Sequence, residues 1–261
     1  MLLILRKALH RGAFFIVFSL LSPLVLAECV LPSVERRVAV ASVVDGDTLR
    51  LVDGNAVRLI GVNTPEIGRD GRPDQPGARE AYRMLDRWVQ GRMLGVVEGE
   101  EPRDRYGRLL AYLSLDGEVL SERLVREGMG YAIAIPPNLR LSDCLFEAEK
   151  LARMRRLGLW RDDPVRSAAS VDSVGFALIA GELSKLDFTR KALYLEVDDH
   201  LVLRIDRDLI GDNAETWLRT LLHRRVEVRG WVVDRGRNLK PGRKRWLIVV
   251  SDLRHMKLIG E

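Results

Sequence analysis

An α+β, mainly β chain built as two successive units is what the sequence predicts. Three observations carry that reading. Short runs rich in Val and Leu, with partial alternation, recur through the body of the chain. Asp-Gly pairs at Asp53-Gly54 and Asp116-Gly117 separate several of them as tight turns. Helical spacing of apolar residues is confined to a few segments, mostly in the first unit. Nearly half of the 261 residues (47%) are apolar, which is enough for a substantial core.

In chain order, Val38 to Val43, Thr48 to Val52 and Ala56 to Val62 read as strands. The segment from Ile67 to Gly77 is dense in Gly, Pro and charge, and reads as an exposed loop. Ala78 to Val89 places Ala78, Ala81, Leu85 and Trp88 on one helical face. Strands near Leu94 to Glu98 and Leu109 to Leu115 follow, then a short helix from Val119 to Glu127 that ends at Gly128. Ser142 or Asp143 can cap a last helix running to about Leu157. Five strands with three interspersed helices predict a small barrel of the OB type.

Asp162 to Ser173 reads as a linker. Beyond it lie strands at Gly175 to Gly181, Ala192 to Val197, Leu201 to Ile205, Arg225 to Val233 and Arg245 to Val250, interrupted by a helix around Ala214 to Leu222. That order suits a second, smaller barrel. The expected organisation is an export signal over 1–27, a first domain over 28–164 and a β-rich accessory domain over 170–261.

The export signal is expected from the basic flank Arg6, Lys7 and Arg11, the apolar run Ala13 to Leu26, and Ala27 before Glu28. An uncleaved anchor helix is the competing reading. Removing the signal lowers the formal net charge from +5 to +2, and what remains is uneven: −2 over residues 28–164, +4 over 165–261. A basic second unit could hold a polyanion near the first. Cys29 and Cys144 are the only cysteines. In an oxidising compartment they read as one disulfide, worth about 4–5 kcal/mol for so long a loop; the alternative is a buried free Cys144 on a helix.

Three short strings carry the chemistry: VVDGDT around Asp45 and Asp47, RLIGVNTPE from Arg58 to Glu66, and DRYGR from Asp104 to Arg108. Calcium takes several oxygen ligands, commonly including carboxylates, and on an extended segment Asp45 and Asp47 would point to one side. Arg58, on a strand face shared with Ile60 and Val62, needs an anion to meet it, and a guanidinium fork suits phosphate. Glu66 can orient or deprotonate water. Each string also has a plain structural reading: Asp45-Gly46 as a turn, Arg58 as a salt-bridged barrel residue, Glu66 as a helix-start carboxylate, Arg108 as decoration of the Tyr106-Gly107 turn. It is the three together, in this order, that point to metal-assisted phosphodiester hydrolysis.

On these strings, residues 38–160 resemble the thermonuclease family, the staphylococcal nuclease-like proteins. The resemblance implies Asp47 as a direct Ca²⁺ ligand, Asp45 acting through water or hydrogen bonds, and Thr64 offering its carbonyl. It further implies Glu66 beside the attacking water, with Arg58 and Arg108 on the phosphate. Asn63 stands where the family's best-known member has an aspartate; its amide oxygen can ligate, with one charge fewer. Ile133 and Ile135 replace two tyrosines, while Tyr106 remains. The family's lysine-rich loop becomes Gly68-Arg69-Asp70-Gly71-Arg72, in which Arg69 and Arg72 can touch a phosphate backbone.

In the second unit, Arg235, Arg237, Lys240, Arg243, Lys244 and Arg245 follow the strand Val226 to Val233, between Trp231 and Trp246. Basic loops with nearby aromatics suit single-stranded nucleic acid; a solvated loop beside core tryptophans fits the same pattern. The function expected is an exported, Ca²⁺-dependent endonuclease acting on DNA and RNA with little sequence specificity. Its rivals are a nucleic-acid-binding barrel of the cell envelope that Asn63 has inactivated, and an envelope scaffold, for which no motif speaks.

Overall fold

The computed structural model of the protein describes residues 29–34, 36–236, 239 and 241–260. The expected signal over 1–27, with Arg237 and Lys240, lies outside the described residues.

The first unit begins with strands β1 (Arg36–Asp45), β2 (Thr48–Leu51) and β3 (Ala56–Leu59), followed by the two-residue β4 (Val62–Asn63). Helix α1 (Ala78–Val89) leads to β5 (Met93–Arg103), β6 (Leu109–Leu115) and the short β7 (Glu118–Val119). Helix α2 (Leu120–Arg126), β8 (Tyr131–Ala132) and helix α3 (Ser142–Met154) complete it. Strands run in the order β3-β2-β1-β5-β6, and a parallel pairing of β3 with β6 closes the barrel. The expected OB-type barrel with three helices is therefore present. Its core gathers Leu49, Leu51, Val57, Leu59, Leu94 and Leu113 from the strands with Leu85, Leu124 and Leu145 from the helices. Each such side chain is worth roughly 1.5–3 kcal/mol when fully buried.

Two expectations change. The strand Ala56 to Val62 breaks at Ile60-Gly61, because Gly61 adopts φ +84° and α3 packs over it; a Cβ there would fall 2.3 Å from Leu145 Cδ1. Val62 and Asn63 leave the barrel to pair with Tyr131 and Ala132. The side-chain cap expected from Ser142 or Asp143 is not made: Leu141 is the N-cap and Ser142 is already helical and buried.

The stretch read as a linker is built into the second unit. Strand β9 (Val165–Ser167) pairs in parallel with β10 (Gly175–Phe188), and Ala168 and Val171 enter the second core. Strands β11 (Ala192–Val197) and β12 (Leu201–Asp206), helix α4 (Asp212–Thr220), and strands β13 (Arg225–Asp234), β14 (Trp246–Val250) and β15 (Met256–Leu258) follow. β12 pairs in parallel with β14, β14 with β13, and β13 with β10. This is a second closed five-stranded barrel with the strand order of the first, and in both a helix lies between the third and fourth barrel strands.

The two barrels share a buried contact. Tyr131 stacks on Phe176 with ring centres 5.6 Å apart, and Ala152, Trp160 and Leu178 pack together beside them. Arg229 of β13, buried, donates to Glu149 Oε2 at 2.6 Å and to the Ala132 carbonyl at 3.0 Å. Arg153 reaches Glu227 with both terminal nitrogens, each at 2.7 Å. His255 accepts from the Ala134 N–H at 2.8 Å, and Ser251 donates to the Ala134 carbonyl. Cys29 and Cys144 are bonded, with Cα atoms 5.6 Å apart, tying the start of the first unit to α3. No helix among the described residues is long and apolar enough to cross a membrane.

Candidate active site

Asp45 ends β1 and Asp47 lies in the turn after it, so the two do not share one extended segment. Asp45 pairs with Thr48 across a two-residue turn, so the string is both a hairpin turn and a site. Asp45 Oδ1 accepts the Asp47 N–H at 3.2 Å, which fixes the turn. Gly46 is required by close approach: a Cβ would lie 2.6 Å from Thr64 Oγ1 and 2.7 Å from the Cβ of Ala81 on α1.

Both acids are buried, Asp47 to 3% exposure. Asp47 Oδ2 accepts the Thr64 N–H at 2.8 Å and the Thr64 hydroxyl at 3.0 Å, and its Oδ1 accepts the Thr48 hydroxyl at 3.1 Å. Arg58 Nη1 lies 2.8 Å from Asp47 Oδ2. Burial first, then the neighbouring Asp47 charge, pushes the Asp45 pKa up to about 7.

Arg58 finds its anion inside the protein. Beyond Asp47, its Nη1 donates to the Val62 carbonyl at 2.9 Å and its Nη2 to Asn63 Oδ1 at 3.0 Å. The break at Ile60-Gly61 makes this possible, since it brings Val62 and Asn63 back over the arginine. Among the described residues Arg58 Nε–H has no acceptor, and part of its Nη2 donor capacity remains.

Glu66 stands at the exposed mouth. Gln75 clamps its backbone: the Glu66 N–H donates to Gln75 Oε1 at 2.9 Å and the Gln75 N–H to the Glu66 carbonyl at 3.0 Å. Although the residue is exposed as a whole, partial desolvation of its carboxyl raises its pKa, and Asp47 adds to this. Arg58, Arg108 and Arg69 pull the other way without cancelling it. Arg69 reaches over the turn to within 3.8 Å of Asp45 Oδ2. Arg72 closes the same loop through its N–H to the Arg69 carbonyl.

Arg108 follows a turn organised by Asp104, whose carboxylate accepts the N–H groups of Tyr106 and Arg108 and the Arg108 Nε–H at 2.7 Å. Burial would raise the Asp104 pKa, but these bonds outweigh it and lower it. Arg108 Nη1 meets the Thr48 hydroxyl at 3.5 Å, which orients the guanidinium toward the acid turn and, among the described residues, leaves Nη2 unengaged. Tyr106 is 69% exposed, with the Arg105 and Arg108 guanidinium carbons 4.8 and 5.5 Å from its ring centre.

The fold thus brings together Asp45, Asp47, Arg58, Asn63, Thr64, Glu66, Arg69 and Arg108, with Tyr106 at the rim. Arg235, Arg243, Lys244 and Arg245 are on the other barrel. There Arg245 is held by Asp234 at 2.9 and 2.5 Å, its guanidinium over Trp246. Sequence reasoning missed Thr48, which joins Asp47 to Arg108; Asp104, which aims Arg108; and Gln75, which holds Glu66. Thr48 and Asp104 lie inside the strings already singled out and could have been read there. Gln75 carries no such signal.

A hard divalent cation fits this donor set. Asp45, Asp47, the Thr64 carbonyl and the Asn63 amide offer only oxygen, and two carboxylates crowded into a dry turn, one with a raised proton affinity, favour added positive charge. Asn63 is the weakest of the four, its Oδ1 already bonded by Arg58. Among the described residues no three His, Cys, Asp or Glu side chains converge as a complete metal centre.

Comparison with known proteins agrees with this geometry. The family described as staphylococcal nuclease homologue matches residues 56–162, a span that includes Arg58, Asn63, Thr64, Glu66 and Arg108. A thermonuclease of Staphylococcus intermedius is 34% identical over 125 residues, 46% of this chain and 74% of that protein. The Staphylococcus hyicus thermonuclease is 33% identical over 130 residues, 48% of this chain and 76% of its own. The SPbeta prophage-derived endonuclease YokF of Bacillus subtilis is 33% identical over 122 residues, 45% of this chain and 41% of its own. A barrel of this topology, with this acid turn and these arginines, at that identity over most of two thermonucleases, places the chain in the staphylococcal nuclease homologue family as a nucleic-acid hydrolase.

Proposed function

We propose that the first barrel cuts phosphodiester bonds of DNA and RNA with little sequence preference, using Ca²⁺. The observation that carries this is the convergence of an exposed Glu66 of raised pKa, a buried Asp pair and two arginines with donors to spare. Asp47, Asp45, the Thr64 carbonyl and, more weakly, Asn63 would hold the ion, which when bound supplies positive charge against the phosphate. Glu66 accepts a proton from, or orients, the water that attacks phosphorus; a raised pKa brings it nearer the working range of a general base. Arg58 Nε–H and Arg108 Nη2 donate to non-bridging oxygens as charge grows on them. Arg108, nearer the rim, assists departure of the 5′ oxygen and leaves a 3′-phosphate. Nothing in this set reads a base edge, which supports low sequence preference.

Export is part of the same reading. The basic-then-apolar start of the chain and the Cys29–Cys144 bond support it, because such bonds persist in oxidising compartments. The deciding experiment is cleavage of single- and double-stranded DNA and of RNA with Ca²⁺ or EDTA, beside Glu66→Ala. Calcium-dependent cutting abolished in the variant is expected. Equal cutting in EDTA, or by the variant, overturns the assignment.

A further inference from the structure

The second barrel carries a groove that the nuclease site does not use. It has a volume of about 660 Å³ and lies across β10, β11, β12 and β14, between the β10–β11 loop and the β13–β14 loop. In OB barrels the face of the second and third strands and the loops joining strands one to two and four to five hold oligonucleotides or oligosaccharides. The groove occupies that position in this barrel.

Its chemistry separates those two ligands. Among the described residues, seven cations line it against two carboxylates, Asp187 and Glu196. Three of the cations are paired: Lys185 with Glu196 at 3.6 Å, Arg204 with Asp206 at 2.5 Å, and Lys244 with Asp199 at 3.1 Å. The other four, Arg190, Lys191, Arg235 and Arg243, have no ion-pair partner among the described residues. Arg190 and Lys191 stand exposed on one loop, Arg243 on the other. Between these rims the floor is mixed: Tyr194 lies opposite Arg204, and Val202 beside Leu247. Unpaired cations along two rims match a polyanion, and an aromatic with apolar neighbours on the floor matches bases that are free to stack. A neutral sugar would leave the rims unused, and a duplex keeps its bases away from the floor.

We propose that this groove is a second nucleic-acid site, which grips single-stranded substrate through its phosphates and stacks a base on Tyr194. It deepens the nuclease reading by giving the substrate a foothold outside the cutting site, and its strand binding can be tested without any cleavage.

The test measures fluorescence anisotropy of a labelled oligothymidylate on the full chain in EDTA, across a salt series. Replacing Arg190, Lys191 and Arg243 together by Ala should weaken binding at least tenfold. It should also flatten the slope of log K against log salt by about 2, at roughly 0.7 per lost phosphate contact on a single strand. Tyr194→Ala should cost about fivefold or more, at the low end for a lost base stack, and should weaken an abasic strand much less. All four substitutions lie on the second barrel, so turnover of a short chromogenic phosphodiester with Ca²⁺ should be unchanged. Triple-variant affinity within twofold of wild type, or an unaltered salt slope, overturns the proposal. So does tighter binding of a heparin fragment of equal charge, or of a duplex, than of the single strand. Intact groove-dependent binding with no cleavage by the wild type would sink the nuclease reading and leave the groove standing.

Discussion

The two barrels have one topology and opposite uses of the same turn. In both, the first and second strands are joined by a short connection beside the barrel mouth. In the first barrel that connection carries Asp45 and Asp47, buried and bonded to Thr48, Arg58 and Thr64. In the second it carries Arg190 and Lys191, exposed and unpaired among the described residues. The contrast separates fold from function: strand order sets where a loop stands, and burial of charge sets what it does. A buried acid turn holds a fixed, desolvated geometry suited to reaction. An exposed cationic turn offers sequence-tolerant attraction suited to holding.

The sharpest way to break the comparison is to remove one arginine from each barrel. Arg58→Ala leaves Asp47 buried without its cation, which should cost about 3–5 kcal/mol of stability as well as about 10²-fold or more in cleavage rate. Arg190→Ala should change stability by less than about 0.5 kcal/mol and leave turnover of a short substrate unaltered. Arg108→Ala sharpens the point, since Arg108 is partly exposed and held from one side by Asp104: it should lose rate on the scale of Arg58→Ala with little loss of stability. Denaturant melts beside rate measurements check all three. A variant of Arg58 that keeps full stability would show the acid turn to be less dependent on its cation than the geometry requires.

The contact between the barrels tests whether they act as separate bodies. Arg229→Met strips Glu149 of its partner in a site where both side chains are 5% exposed, and should cost about 3–5 kcal/mol. Adding Glu149→Leu should restore much of that, because no buried charge then stands alone. The same pair connects to the active site: Glu149 and Arg229 both hold Ala132, which pairs with Val62, whose carbonyl accepts from Arg58. Loss of cleavage rate in Arg229→Met below its melting point would show that the second barrel helps position the first barrel's site.

His255 makes that contact sensitive to pH. Burial first, then Arg229 and Arg254, lowers its pKa from 6.5 to about 4, and its neutral Nε2 accepts the Ala134 N–H. The unfolded chain therefore binds a proton between those values that the folded protein refuses. Stability from this group is full above about pH 6.5, is lost as pH falls toward about 4, and changes no further below. The loss is about 3 kcal/mol on the scale of 1.36 kcal/mol per pKa unit. His255→Gln keeps an acceptor for Ala134 without the titration, so its stability should fall less over that window. Parallel curves for the two proteins would remove His255 as the cause.

Much of the first barrel was legible because its signals are local. Alternation, Asp-Gly turns and the helical spacing of Ala78, Ala81 and Leu85 lie within short windows. The acid turn and both arginines stood in three short strings. What the sequence did not disclose depends on contacts between distant segments. At Gly61, where β3 breaks, Leu145 of α3 leaves no room for a Cβ, and the linker is docked by a parallel pairing of Val165–Ser167 with β10. The partners of Arg58 became visible only once the chain turned back on itself. In the second barrel the basic loop was legible as charge, but Tyr194, Arg190 and Lys191 come from the neighbouring hairpin, and only barrel closure makes one groove of them.

A smaller effect than that of His255 bears on the first barrel's charge count. Asn63 meets Arg58 through its amide oxygen, 3.0 Å from Nη2, beside a turn that holds two carboxylates. Asn63→Asp is nearly isosteric and keeps that bond as an ion pair, so the fold should be undisturbed. The new carboxylate adds one negative charge to the oxygen set, and calcium affinity rises with ligand charge. The Ca²⁺ concentration for half-maximal cleavage should fall by about tenfold, equivalent to about 1.4 kcal/mol, with the rate at saturating Ca²⁺ changed less. A calcium titration of both proteins on one substrate decides it. An unchanged midpoint would mean that Arg58 absorbs the added charge and that position 63 serves the arginine rather than the ion.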